Sequence, residues 1–134
     1  MSNSKLVQIA IAAMSETKEA RVERELNTTL KFMVTDCKKL ISSIEGSLQT
    51  LNDELDAANT LLEDEKQELV RKSQTIPNVD RKEAYKVYRT RVEGQKQIVN
   101  KIERDVIDIK NNIIDKQKKL DEAKADLAVL TEQA

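Results

Sequence analysis

The chain has 134 residues, of which 35% are charged, 39% hydrophobic and only 2% aromatic; 23 Lys and Arg against 24 Asp and Glu leave a net charge of −1. With two glycines, one proline and no tryptophan, it lacks the turn residues of a β-sandwich, the glycine-rich loops of a doubly wound α/β fold and the bulky side chains that fill a compact core. Its apolar residues recur at fixed spacing, which excludes a disordered chain.

In chain order, the first element is an apolar run, Leu6 to Met14, interrupted only by Gln8. Ser4 is positioned to cap a short helix over 1–15 carrying Leu6, Val7, Ile9, Ala10, Ile11, Ala13 and Met14. The run falls short of the ~20 residues that span a bilayer. The charged stretch after it, Ser15 to Glu19, does not fit a cleaved leader.

A long helix is predicted over 16–73. Its seam runs Leu30, Val34, Cys37, Ile41, Ile44, Leu48, Leu51, Leu55, Ala58, Leu62, Glu65, Leu69, spaced alternately three and four apart, with eleven of twelve apolar. A second long helix is predicted over 81–132, with Tyr85, Tyr88, Val92, Gln95, Val99, Ile102, Val106, Ile109, Ile113, Lys116, Leu120, Ala123, Leu127 and Leu130, twelve of fourteen apolar or aromatic. Sustained a/d heptads of this kind define a left-handed coiled coil. Between them, over 74–80, lies the only proline, Pro77, which no helix continues through. Asp80 followed by Glu83 reads as a capping box for the second helix.

The predicted fold is therefore all-α: a long antiparallel two-helix coiled-coil hairpin with the short N-terminal apolar helix packing at its open end. Charge favours folding back over parallel pairing of two chains. From Glu45 to Glu68 there are eight acids and one base, net −7; from Leu69 to Lys96 there are eight bases and three acids, net +5. Folding at Pro77 is expected to lay the basic 81–96 segment beside the acidic 53–68 segment, and flanking charges set orientation in coiled coils. Two registers keep the seams in phase, one with Leu51 opposite Val106 and one with Leu51 opposite Val99. The second is favoured, because it sets Glu65 against Tyr85 and Leu62 against Tyr88, where tyrosine hydroxyls reach the acid. Gln95 and Lys116 are polar intrusions of the type that specifies register. Gly46 and Gly94 fall on outward positions and are candidate points of flexibility.

Beyond the seam, the first helix adds Leu26, Met33 and Leu40 beside its a positions, and the second adds Ile107, Ile114 and Val129. A two-stranded coil needs only a and d, so a wider stripe implies a further helix packed there. These residues, with Leu6, Val7, Ile9, Ile11 and Met14, form the expected oligomer or partner interface. Toward Pro77 the basic residues Arg71, Arg81, Lys82, Arg89 and Arg91 form an expected contact surface at the tip.

The chemical inventory points away from an enzyme. The chain has no histidine and a single cysteine, Cys37, on the seam. It has no glycine-rich phosphate loop, and its carboxylates are dispersed among lysines along helix faces. No cofactor or metal is expected. The near-neutral charge, and the absence of base-stacking aromatics outside the seam at the basic tip, make nucleic acid and membrane unexpected partners. A cytoplasmic protein is the expectation.

In outline, and in the aromatic-basic start Tyr85-Lys86-Val87-Tyr88-Arg89, the chain resembles the helical-hairpin stalk proteins of flagellar and type III secretion ATPases. That resemblance implies a small two-helix rod serving a larger machine. The turn Ile76-Pro77-Asn78 departs from the Trp-Xaa-Gly turn of secreted hairpins, and no strand segments of a prefoldin-like hairpin are found. The functional expectation is a structural or adaptor rod that joins proteins through its base, as a homo-oligomer, most simply a dimer, or an obligate hetero-complex. The alternatives are a stalk or chaperone subunit of a larger machine, and nucleic-acid binding through the basic tip.

Overall fold

The computed structural model describes residues 17–78 and 80–133. They hold two long helices, α1 (Lys18–Gln74, 57 residues) and α2 (Lys82–Gln133, 52 residues), and no strand among the described residues. The expected short helix over 1–15, with Leu6, Val7, Ile9, Ile11 and Met14, lies outside the described residues. No described helix is long and apolar enough to cross a membrane.

Local chemistry sets the helix starts. Thr17 begins α1: its Oγ1 accepts the Ala20 N–H at 3.1 Å and its carbonyl accepts the Arg21 N–H at 3.0 Å, so a threonine cap satisfies a donor that the first turn leaves over. The second start differs from the expected Asp80–Glu83 box. The Arg81 carbonyl accepts the first helical bond, from the Tyr85 N–H at 3.0 Å. Asp80 instead donates its own N–H to Asn78 Oδ1 at 3.3 Å, and Arg81 donates to the Asn78 carbonyl at 3.0 Å. An asparagine next to Pro77 folds its side chain back on the backbone two residues on. That turn claims Asp80 and moves the helix start one residue later.

The two helices pack against each other, consistent with a helical hairpin. Every one of the twelve α1 and fourteen α2 seam positions is buried or half-buried. The chain divides into a central unit, Ser43–Asp121, and a terminal unit, whose described part is 17–42 with 122–133. The central core holds Ile44, Leu48, Val99, Ile102, Val106 and Leu120; the terminal core holds Leu30, Ile41 and Ala123. No large side chain is completely enclosed among the described residues. That is the signature of a two-helix seam: each knob is covered by its partner helix on one side and wet on the other.

Within the central unit the register differs from the favoured one. Gln95 Nε2 donates to the Glu65 carbonyl at 3.0 Å, and Tyr88 Oη donates to the Ser73 carbonyl at 3.0 Å. Pairing partners fall along α2 as they rise along α1, so the helices run antiparallel here. Glu65 thus meets Gln95 rather than Tyr85, the pairing close to Leu51 opposite Val106. In the other register the Gln95 amide sits against apolar Leu55. An unmet buried amide costs about 1–3 kcal/mol, which outweighs a tyrosine–acid contact made at the wet margin.

Gly46 and Gly94 lie within unbroken helix rather than at a kink, neither with a positive φ. A Cβ built at either meets nothing within 4 Å. Gly46→Ala and Gly94→Ala are therefore each expected to stabilise the chain by about 0.5–1 kcal/mol, the helix-propensity difference. Urea denaturation followed by circular dichroism checks this; a destabilised variant would show that the glycine answers a packing demand.

Candidate functional site

Three features of the surface and seam have the chemistry for recognition. The first is a polar layer in the central unit. Gln95 is only 2% exposed, the one buried polar side chain among the described residues. Its Nε2 also donates to Glu65 Oε2, and its Oε1 accepts from Lys72 Nζ at 2.9 Å. Lys72 lies three residues beyond Leu69 and so continues the α1 seam. The heptad phase carries that signal one step past the predicted end of the seam. No buried side-chain polar atom lacks a partner among the described residues. The cluster is a closed network rather than a reactive centre. Gln95→Ala is expected to cost about 1–3 kcal/mol by leaving Glu65 and Lys72 unmet, whereas Gln97→Ala, on an exposed position, stays within about 0.5 kcal/mol. Chemical denaturation of both variants checks the contrast.

Beside this layer, Arg71 donates two hydrogen bonds to the Glu68 carboxylate, and Lys72 Nζ stands 3.9 Å from it. The Arg71 hydrogen bonds, helped by the charges of Arg71 and Lys72, hold the Glu68 carboxyl below its ordinary range; the same pairing raises Arg71. A depressed carboxyl contributes stability above its unfolded pKa and loses it as pH falls through the folded value. Glu68→Gln should flatten that part of the acid limb of a stability–pH curve. An unchanged curve would mean that solvent screens the pair entirely.

The second feature is the basic start of α2. Lys82, Tyr85, Lys86, Arg89, Glu93 and Gly94 line an open groove of about 710 Å³. Its one acid, Glu93, is held by Lys96 at 3.5 Å. Of the residues expected at the tip, Lys82 and Arg89 lie along this groove, whereas Arg71 and Arg91 line a second one with Thr75, Pro77, Val87 and Tyr88. Arg81 is exposed at the turn. The five therefore do not converge on one point.

The third feature is apolar. In the terminal unit Leu26 (57% exposed), Met33 and Leu40 (53%) recur every seven residues along α1, with Val22 exposed one turn before Leu26 and Val129 exposed on α2. Phe32 is also exposed. It sits on the outward heptad position f, where the seam pattern gives no signal, and it was not among the expected interface residues. Ile107 and Ile114 are exposed in the central unit, at position b of α2. Heptad geometry sets b and c on opposite flanks of a seam, so these two isoleucines do not share a flank with Val129, at c. Cys37 is half-buried, its thiol donating to the Ala123 carbonyl at 3.2 Å, as a small seam residue does. Among the described residues no group of three or more His, Cys, Asp or Glu side chains is placed to hold a metal ion.

Comparison with protein-family models, with curated proteins and with solved structures found no match to this chain.

Proposed function

We propose that the chain is a non-enzymatic assembly module: an antiparallel coiled-coil hairpin that joins to a second copy through the apolar edge of its terminal unit. A cytoplasmic setting belongs to the same reading. The observation that carries it is the exposed column Leu26, Met33, Leu40 beside a seam that already satisfies its own heptad. A two-stranded coil needs charged or polar residues at that position, g, and not large apolar ones. In an antiparallel pair the g and c columns of both helices flank one edge, so Val22 and Val129 extend the same surface.

Magnitudes favour association. Covering the exposed half of a Leu, Met or Val side chain contributes roughly 1 kcal/mol. Five from each of two copies reach the order of 10 kcal/mol, comparable with the association cost of about 4–15 kcal/mol. The reading is supported as well by the inventory of the chain, without histidine and with one seam cysteine.

The test is the solution mass of the full chain by sedimentation equilibrium in 500 mM NaCl, where surface ion pairs are screened. Leu26→Asp, Met33→Asp and Leu40→Asp combined should return an associated species to the monomer while helicity by circular dichroism stays unchanged. A full chain that is monomeric at high concentration in this salt, or a triple variant of undiminished mass, overturns the proposal.

A further inference from the structure

We propose a second homotypic contact, separate from the apolar edge: two copies pair through their central units, the basic start of α2 in each lying on the acidic stretch of α1 in the other. The register is the first ground for it. Continuing the Glu65–Gln95 and Ser73–Tyr88 contacts along both helices sets 53–68 of α1 alongside about 92–107 of α2. The acidic stretch has seven acids and one base, net −6, whereas 92–107 has three acids and three bases. The basic stretch 81–96 has six bases and two acids, net +4, and its part that faces α1, about 86–96, lies alongside 64–74, again three acids and three bases. Each charged stretch therefore faces a neutral one, and folding neutralises neither.

The side chains agree. One ion pair crosses between the helices among the described residues of this unit, Lys66 to Glu103 at 3.9 Å. Arg81, Lys82, Lys86, Arg89 and Arg91 make no ion pair among the described residues, nor do Glu54, Asp56, Glu63 and Asp64; all nine are exposed. The groove along Lys82, Lys86 and Arg89 has its one acid already engaged by Lys96, so it presents net positive charge to whatever enters it.

Geometry then selects a second copy with its central unit reversed. The centres of the acidic and basic stretches are offset along the helix axis by about a dozen residues, or ~18 Å. That offset exceeds the Debye length of about 8–10 Å at 0.1–0.15 M salt, so each patch acts as a distinct pole. Two central units side by side and antiparallel bring both opposite pairs together at once, which closes the contact with two-fold symmetry. Parallel units satisfy only one pair per neighbour and leave the other pole open.

Sedimentation equilibrium of the full chain tests the pairing. Lowering NaCl from 500 to 100 mM should at least double the mass over whatever species the apolar edge maintains in high salt. Lys82→Glu, Lys86→Glu and Arg89→Glu combined should abolish the doubling, and so should Asp53→Lys, Asp56→Lys and Glu63→Lys combined. An equimolar mixture of the two triple variants should regain it, because in the mixed pair the two reversed patches meet each other and the two unaltered patches meet each other; this rescue also separates lost contact from lost folding. A mass that does not change with salt, a doubling that survives either triple reversal, or a mixture no heavier than its components overturns the proposal. None of these outcomes bears on the apolar edge, which is read at 500 mM NaCl.

Discussion

The Gln95 amide donates to the backbone and the carboxylate of Glu65 and accepts from Lys72 within a largely apolar seam. A heptad seam alone tolerates slips of seven residues, since each slip returns apolar residues to apolar partners. The amide removes that tolerance: it needs a carbonyl on one side and a cation on the other, and a seven-residue slip leaves it buried against the apolar seam residues Leu55 and Ala58. The turn and the start of α2 are compatible with this pairing. Tyr88, two helical turns before Gln95, reaches the Ser73 carbonyl near the end of α1, so the last turn of α1 is tied down by the same register.

That register also decides where charge is left over. Opposite charge on the two sides of Pro77 would suggest mutual neutralisation within the hairpin. The observed pairing is displaced from that alignment, and near the turn most of the ion pairs are local to one helix: Arg71 and Lys72 with Glu68, Lys96 with Glu93. Exposed pairs of this type are worth only a few tenths of a kcal/mol. They cannot compete with the cost of leaving an amide unmet, so the buried layer sets the register and the surface charges take the positions that remain.

The other consequence of a two-helix seam is incomplete burial. Each helix presents a stripe wider than one partner covers, and the apolar residues outside the seam (Leu26, Met33, Leu40, Ile107, Ile114 and Val129) remain about half-exposed or more. Scattered exposed apolar residues are ordinary on protein surfaces. A column at seven-residue spacing is not, because it repeats with the seam and offers a continuous strip to another helix.

The amino-acid sequence by itself determined the helical class, the two helices to within a few residues and the inward face of both, because a heptad phase is a local property that accumulates over many turns. Leu30 through Leu69 and Tyr85 through Leu130 are each inward for that reason alone. The apolar columns were legible too, as residues left over once the seam had been assigned. The heptad phase also reaches Lys72, whereas the register and the choice of cap were decided only in the folded structure. Registers seven residues apart are equivalent in an apolar pattern and differ only in which polar groups meet across the helices. The start of α2 turned on the Asn78 side chain, whose bond to the Asp80 amide competes with the cap that Asp80 itself resembles. That bond is local, yet it competes with an equally local cap, and only the folded turn selects between them; the register was selected by the contact that Gln95 makes with Glu65 across the helices.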